Sequence, residues 1–226
     1  MGTLRITANF VLIIVGLVLC LGGLLTMQLE FKPFLASESP VEWRVQEIAA
    51  GRIDYGLSTS SRELALADCR RATLSLEVRL QPSAIRSSVY SNCLALSDSF
   101  AAIQPTLSIA WLTGAIAAAQ MRDWPAFNSR MLRSLRSAPN EQWVAEMRIS
   151  LFEQYYDQLT DDLRAGNRAD MLLLTDNDAG LLKLARIFVA SPTSQDRIAS
   201  VIATRPEVTR EKFERRVRLV TEEAGH

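Results

Sequence analysis

Between Ile6 and Leu29 the chain runs for 24 residues without a charged side chain, and this run limits its fold more than any other feature. An apolar helix of about 20 residues spans the hydrocarbon core of a bilayer, so the stretch is long enough to cross one. Arg5 and the amino terminus precede it, whereas Glu30 and Lys32 follow. The more positive front favours an N-terminus in the cytoplasm and the remainder of the chain on the far side. A cleaved signal peptide is one alternative, but Thr26-Met27-Gln28-Leu29 offers no pair of small residues for cleavage. Lipidation of Cys20 is another, but Leu19 before it is not small and the apolar run continues past it. The reading is therefore a cytoplasmic tip over residues 1–5 and an uncleaved membrane helix over 6–29.

Residues 30–60 read as a juxtamembrane linker. Pro33 and Pro40 interrupt the exit from the membrane, a short helix is predicted over Val41–Ala50, and Gly51, Gly56 and Ser58-Thr59-Ser60-Ser61 mark a loop. From residue 61 to 223 apolar positions recur every three or four residues and few stretches alternate with period two, so the class is all-α. A first helix is predicted from Arg62 to about Leu80, on the stripe Leu66, Cys69, Thr73, Leu76 and Leu80. Gln81-Pro82-Ser83 ends it, because Pro cannot continue a helix. A second runs from about Ser83 to Ile103 on Ile85, Val89, Cys93, Leu96, Phe100 and Ile103. Beyond Pro139 a helix is expected from Gln142 to roughly Arg164, stopped by Gly166. Shorter helices follow at about 168–174, 179–189 and 194–203. The last is expected from Pro206 to about Glu223, with Phe213, Val217 and Val220 as a narrow apolar stripe suited to capping a helical stack.

Cys69 and Cys93 lie equally far from Gln81 in the turn between the first two predicted helices. In an antiparallel hairpin such positions stand abreast, and an oxidising compartment would let them pair. Closing a loop of about 25 residues contributes roughly 3 kcal/mol through chain entropy. Two buried free thiols are the alternative.

The stretch Ser108–Glu141 has Trp111 near its start, Pro139 near its end, Ala115 and Ala118 between them, and Asp123-Trp124 at its middle. On these residues it resembles a tetratricopeptide unit, a 34-residue helix–turn–helix with small residues where helices touch. It departs from that pattern where Gly114 stands for the usual Leu and Phe127 for a small residue. The resemblance covers about one repeat and implies a stack of α-hairpins that holds other molecules. The chain also resembles bacterial membrane-anchored TPR-like proteins associated with surface-polysaccharide production. The single anchor, the ending Ser134-x-x-x-x-Pro139-Asn140-Glu141, the following Trp143 and Arg148, and the Leu-rich tail helices carry that likeness. It implies an inner-membrane protein with a periplasmic domain and an accessory, non-catalytic role in exopolysaccharide synthesis or export.

No catalytic constellation accompanies these features. The only His is the terminal His226, which removes His-based triads and His metal sites, and no Gly-rich phosphate loop or zinc-spaced Cys pair is present. Asp161-Asp162 and Asp176/Asp178 fall at helix ends or loops, where Asp caps and solvates. The expectation is no enzyme, no cofactor and no metal. With 25 basic and 25 acidic residues, no net field invites nucleic acid. The candidate partner-binding residues are Trp111, Trp124 and Trp143, together with Arg130, Arg133 and Arg136 in a row on the second helix of the unit. Glu141, Gln142 and Arg148 extend this surface. Packing between helices is the plainer reading of the Trp residues, and a solvated face that of the Arg row. As a binding surface, they would meet protein components of an envelope assembly or an anionic polysaccharide. The function expected is a membrane adaptor, with a periplasmic chaperone or a direct polysaccharide binder as alternatives.

Overall fold

The structure, a computed structural model, describes the backbone of residues 2–225 and the side chains of residues 12–225. Met1 of the expected cytoplasmic tip, the Arg5 side chain and His226 lie outside what is described. The described residues form α-helices with two single 3-10 turns and no strand, so the chain is all-α. It divides into two compact units, Met1–Leu96 and Ser97–His226.

The first unit begins with α1 (Gly2–Ser37), followed by α2 (Val41–Ala49), α3 (Thr59–Leu74), α4 (Leu76–Leu80) and the larger part of α5 (Ser83–Ile103). Within α1 the stretch Leu12–Ser37 is long and apolar enough to cross a membrane, and every side chain from Leu12 to Leu29 is exposed. Pro33 does not break the exit, as the sequence suggests, but lies inside α1. Pro33 and Ala36 are the buried positions of this helix, and α3 is the helix that packs against it. That packing offsets the hydrogen bond lost at the proline.

The segment read as a linker is likewise built into the unit. Val45 and Ile48 of α2 are fully buried, and the buried Arg44 guanidinium donates from Nε to Asp68 Oδ2 of α3 at 2.6 Å. Asn92 of α5 closes the end of α2, its Nδ2 donating to the carbonyls of Ile48 and Ala49 at 2.8 and 3.2 Å. The single helix expected over residues 62–80 is two. Ser75 leaves helical geometry (φ −68°, ψ 152°), and its hydroxyl accepts from the Val78 amide to start α4. Leu76 and Leu80 of the expected stripe therefore turn to solvent and Val78 turns inward. A serine offers the backbone such an alternative partner, which an apolar period does not register. Cys69 of α3 and Cys93 of α5 form a disulfide with Cα atoms 5.5 Å apart.

The second unit contains the end of α5 and α6 (Ser108–Gln120), α7 (Trp124–Ser137), α8 (Gln142–Gln154), α9 (Asp161–Leu174), α10 (Asp178–Ala190), α11 (Gln195–Ile202) and α12 (Glu207–Ala224). α6 and α7 form an antiparallel hairpin closed at its open end by the buried Ser108 hydroxyl, which bonds the Ser134 carbonyl at 3.0 Å. α8 and α9 form another, with Arg148 facing Asp170 and Glu153 facing Asn167. The helix expected to run from Gln142 to Arg164 ends earlier, at Gln154. Gly166 lies inside α9 rather than stopping a helix, and its missing side chain leaves room for Leu135, which occupies the space where a Cβ would stand. α8 to α12 share one core that includes Ile149, Met171, Leu184, Ile198 and Phe213. In α12 Phe213 and Val220 are buried and Val217 packs on that core, while Arg215 and Arg218 face solvent.

Candidate binding clefts of the second unit

α6 is almost wholly buried, and its small residues allow this: Ala115 and Ala118 are completely inaccessible between neighbouring elements. The turn that follows forms hydrogen bonds typical of a helix terminus. The amides of Arg122 and Asp123 donate to the carbonyls of Ala119 and Ala118, both at 3.0 Å. This requires Arg122 to adopt φ +59°, a conformation that glycine occupies more readily. Asp123 then caps α7 by accepting from the Ala126 amide at 3.0 Å. Each end of the hairpin borders a concavity.

At the end bearing Trp111, a groove of about 490 Å³ is lined by Asp98, Pro105, Trp111, Arg130 and Arg133 among others. The Trp111 indole donates to the Pro105 carbonyl at 2.8 Å, and the Arg133 guanidinium carbon lies 4.6 Å from its ring centre. Arg130 donates from Nη2 to both Asp98 oxygens at 2.9 and 2.8 Å. The Arg130 chain crosses Gly114 so closely that a Cβ there would lie 2.9 Å from Arg130 Cδ. The departure from Leu at position 114 thus makes room for an arginine. With two guanidinium groups and one carboxylate, the groove carries a net positive charge, the sign that receives an acidic group.

At the other end a cleft of about 610 Å³ is lined by Gln120, Arg122, Trp124, Tyr155, Tyr156 and Arg197 among others. Tyr155 is wedged against Trp124 and Phe127, with ring centres 5.5 and 5.7 Å away. Phe127, where the repeat pattern has a small residue, is the buried member of this trio. Gln120 and Gln154 both donate through Nε2 to the Tyr155 hydroxyl, at 3.3 and 3.1 Å. That leaves the Tyr155 proton and both glutamine carbonyls for a ligand. Arg197 lies over the Tyr156 ring, 3.8 Å from its centre, and pairs at 2.6 Å with the buried Glu153. Asn167 donates to the same carboxylate at 2.6 Å. Arg122 and Arg197 balance Glu153 and Asp157 in this lining, so its formal charge is zero.

The six candidate residues do not form one surface. Trp111, Arg130 and Arg133 share the groove, and Trp124 belongs to the cleft. Arg136 and Trp143 are exposed on the last turn of α7 and the first turn of α8, and line neither. Arg148, expected on the surface, is completely buried. It holds Asp170 with two bonds of 2.7 Å and donates from Nη1 to the carbonyls of Ser134 and Ala138 at the end of α7. Burial pushes the Asp170 carboxyl above its ordinary range, against the pull of the Arg148 hydrogen bonds and charge. Sequence reasoning missed Gln120, Tyr155, Tyr156 and Arg197. The spacing Met147, Leu151, Tyr155 and Leu159 reads as one unbroken helical stripe, so it gave no sign that the helix ends before the tyrosines. Among the described residues, no three His, Cys, Asp or Glu side chains converge as metal ligands. No protein-family model, curated protein or solved structure matches the chain.

Proposed function

We propose that this chain is a non-catalytic membrane adaptor, with α1 as a single-pass anchor and a TPR-like hairpin domain that holds components of an envelope assembly. The observation that carries the proposal is the uncovered apolar length of α1 from Leu12 to Leu29, continuous with the part of α1 that packs in the helical domain. The N-terminus lies in the cytoplasm and the domain in the periplasm of a bacterial cell. The Cys69–Cys93 pair supports this placement, since disulfides persist in oxidising compartments. The two concavities of the α6–α7 hairpin are where a partner docks, and the anchor raises the partner's local concentration at the membrane. The resemblance to membrane-anchored TPR-like proteins supports an accessory role in exopolysaccharide synthesis or export. Crosslinking in native membranes, mild solubilisation and mass spectrometry test this. Recovery of glycosyltransferases, polymerases or export components is the expected result. Recovery of nascent envelope proteins or translocation machinery instead makes the protein a periplasmic chaperone.

The cleft favours a second reading, direct polysaccharide binding. Aromatic faces and amide groups around a lining of zero formal charge suit a neutral sugar ring. A panel of neutral and acidic oligosaccharides, titrated against Trp124 fluorescence, tests it. Tyr156→Ala should weaken any neutral ligand at least tenfold with the helical circular dichroism kept. Absence of binding across the neutral panel rejects this reading.

A further inference from the structure

Glu30 is the first charged residue after the apolar run, and its carboxylate is fully committed. It accepts from the Leu57 amide at 2.6 Å, the Ser58 amide at 2.9 Å and the Ser58 hydroxyl at 2.5 Å. Ser58 is the residue that caps α3. Gly56 admits the carboxylate, because a Cβ on it would stand 2.6 Å from Glu30 Oε1. The loop before α3 is therefore clasped to α1 one residue beyond the uncharged stretch. The burial pattern of α1 changes at the same level: all side chains from Leu12 to Leu29 are exposed, and Pro33 and Ala36 are buried. Among the described side chains of α1, burial begins at Glu30. Farther along α3, Asp68 meets Arg44 of α2. The loop forms a rim beside the first residue of α1 past its uncharged stretch.

That rim exposes large apolar and aromatic side chains beside the charged Asp54 and the polar Ser58, Thr59 and Ser60. Leu57 is 64% exposed and Tyr55 48%, and on α1 itself Phe31 and Phe34 are 51% and 50% exposed, with Lys32 between them. At about 1.5 Å per residue, the 24 residues from Ile6 to Leu29 measure about 36 Å, slightly more than the roughly 30 Å of a hydrocarbon core. Glu30 thus emerges at headgroup depth. Aromatic rings and the long stems of lysines concentrate at that depth because one end prefers hydrocarbon and the other water. Large apolar and aromatic side chains mixed with polar ones, continuous with a membrane span, fit the lipid interface, which is itself part hydrocarbon and part water.

We infer that the first unit is seated on the bilayer surface, with Tyr55 and Leu57 among the lipid headgroups beside Phe31 and Phe34, and with Glu30 as the joint that holds them there. The seat rests on the reading of α1 as a membrane span. It makes the first unit's height and tilt a built property and removes residues 30–60 as a flexible tether.

The test uses the full chain in phosphatidylcholine–phosphatidylglycerol nanodiscs, in a Cys20→Ser background with the Cys69–Cys93 disulfide intact. An environment-sensitive fluorophore is attached through Val18→Cys, Leu57→Cys or Leu74→Cys, the last at the far end of α3. Tyr55→Cys repeats the measurement in case Leu57→Cys disturbs the loop. Nitroxide-bearing lipids report lipid contact and iodide reports water. Position 18 should respond only to acyl-chain nitroxide, position 57 to headgroup nitroxide, and position 74 to iodide alone. Glu30→Gln and Gly56→Ala should each raise iodide quenching at position 57 several-fold while position 18 stays unchanged. Quenching at 57 and 55 that matches position 74, with position 18 in lipid, overturns the seat and leaves the span. Failure of position 18 to meet lipid overturns both.

Discussion

At the residue scale, two buried side chains give the sharpest expectations. Arg148 and Asp170 are both withdrawn from water, so removing one partner strands the other. Arg148→Ala should cost about 3–5 kcal/mol in a denaturant titration, and Arg148→Met combined with Asp170→Leu should recover most of it. A loss below about 1 kcal/mol for the single change would contradict the burial described. Gly180 is the second case. A helical Gly→Ala change ordinarily gains about 0.5–1 kcal/mol, but here the Leu174 carbonyl stands where the new methyl would go. Gly180→Ala should instead destabilise by about 1–3 kcal/mol, as overpacking does. Neither role was legible in the sequence. An arginine at a helical position reads as solvent-facing, and only the approach of α9 to the end of α7 gives Arg148 its partners.

At the scale of elements, the α6–α7 turn carries a local conflict. Its hydrogen bonds demand left-handed backbone at Arg122, which strains a residue with a Cβ. Arg122→Gly should raise stability by roughly 1 kcal/mol by thermal denaturation; a fall instead would mean that the Arg122 side chain holds the rim of the cleft. The disulfide joins α3 to α5 across the α4 turn, and its reduction should lower the stability of those helices by about 2–4 kcal/mol. Hydrogen exchange reads this directly, with faster exchange of α3 and α5 amides after reduction. Unchanged protection would show that packing alone holds the pair. Helix existence was largely legible at this scale: α5 starts and stops as its prolines dictate, and the apolar stripe of α12 faces inward. Helix breaks at Ser75 and after Gln154 were not, because side-chain capping and a tertiary contact, rather than apolar spacing, decide them.

At the scale of the whole molecule, the prediction concerns the membrane. The protein should remain with membranes through an alkaline carbonate wash. In cells whose outer membrane has been opened, protease should reach the helical domain. Release by carbonate would exclude α1 as a span, and a protected domain would reverse the proposed orientation. The amino-acid sequence alone determined the all-helical class, an N-terminal helix long and apolar enough to cross a membrane, and the helix–turn–helix within Ser108–Glu141, since each follows from composition and spacing along a few turns of chain. Only the tertiary structure decided that residues 30–60 belong to a packed unit, that Trp111 and Trp124 serve separate concavities, and that Tyr156 meets Arg197. The reason is physical: periodicity records which face of a helix is apolar, but polar contacts between residues tens of positions apart exist only once the helices have packed.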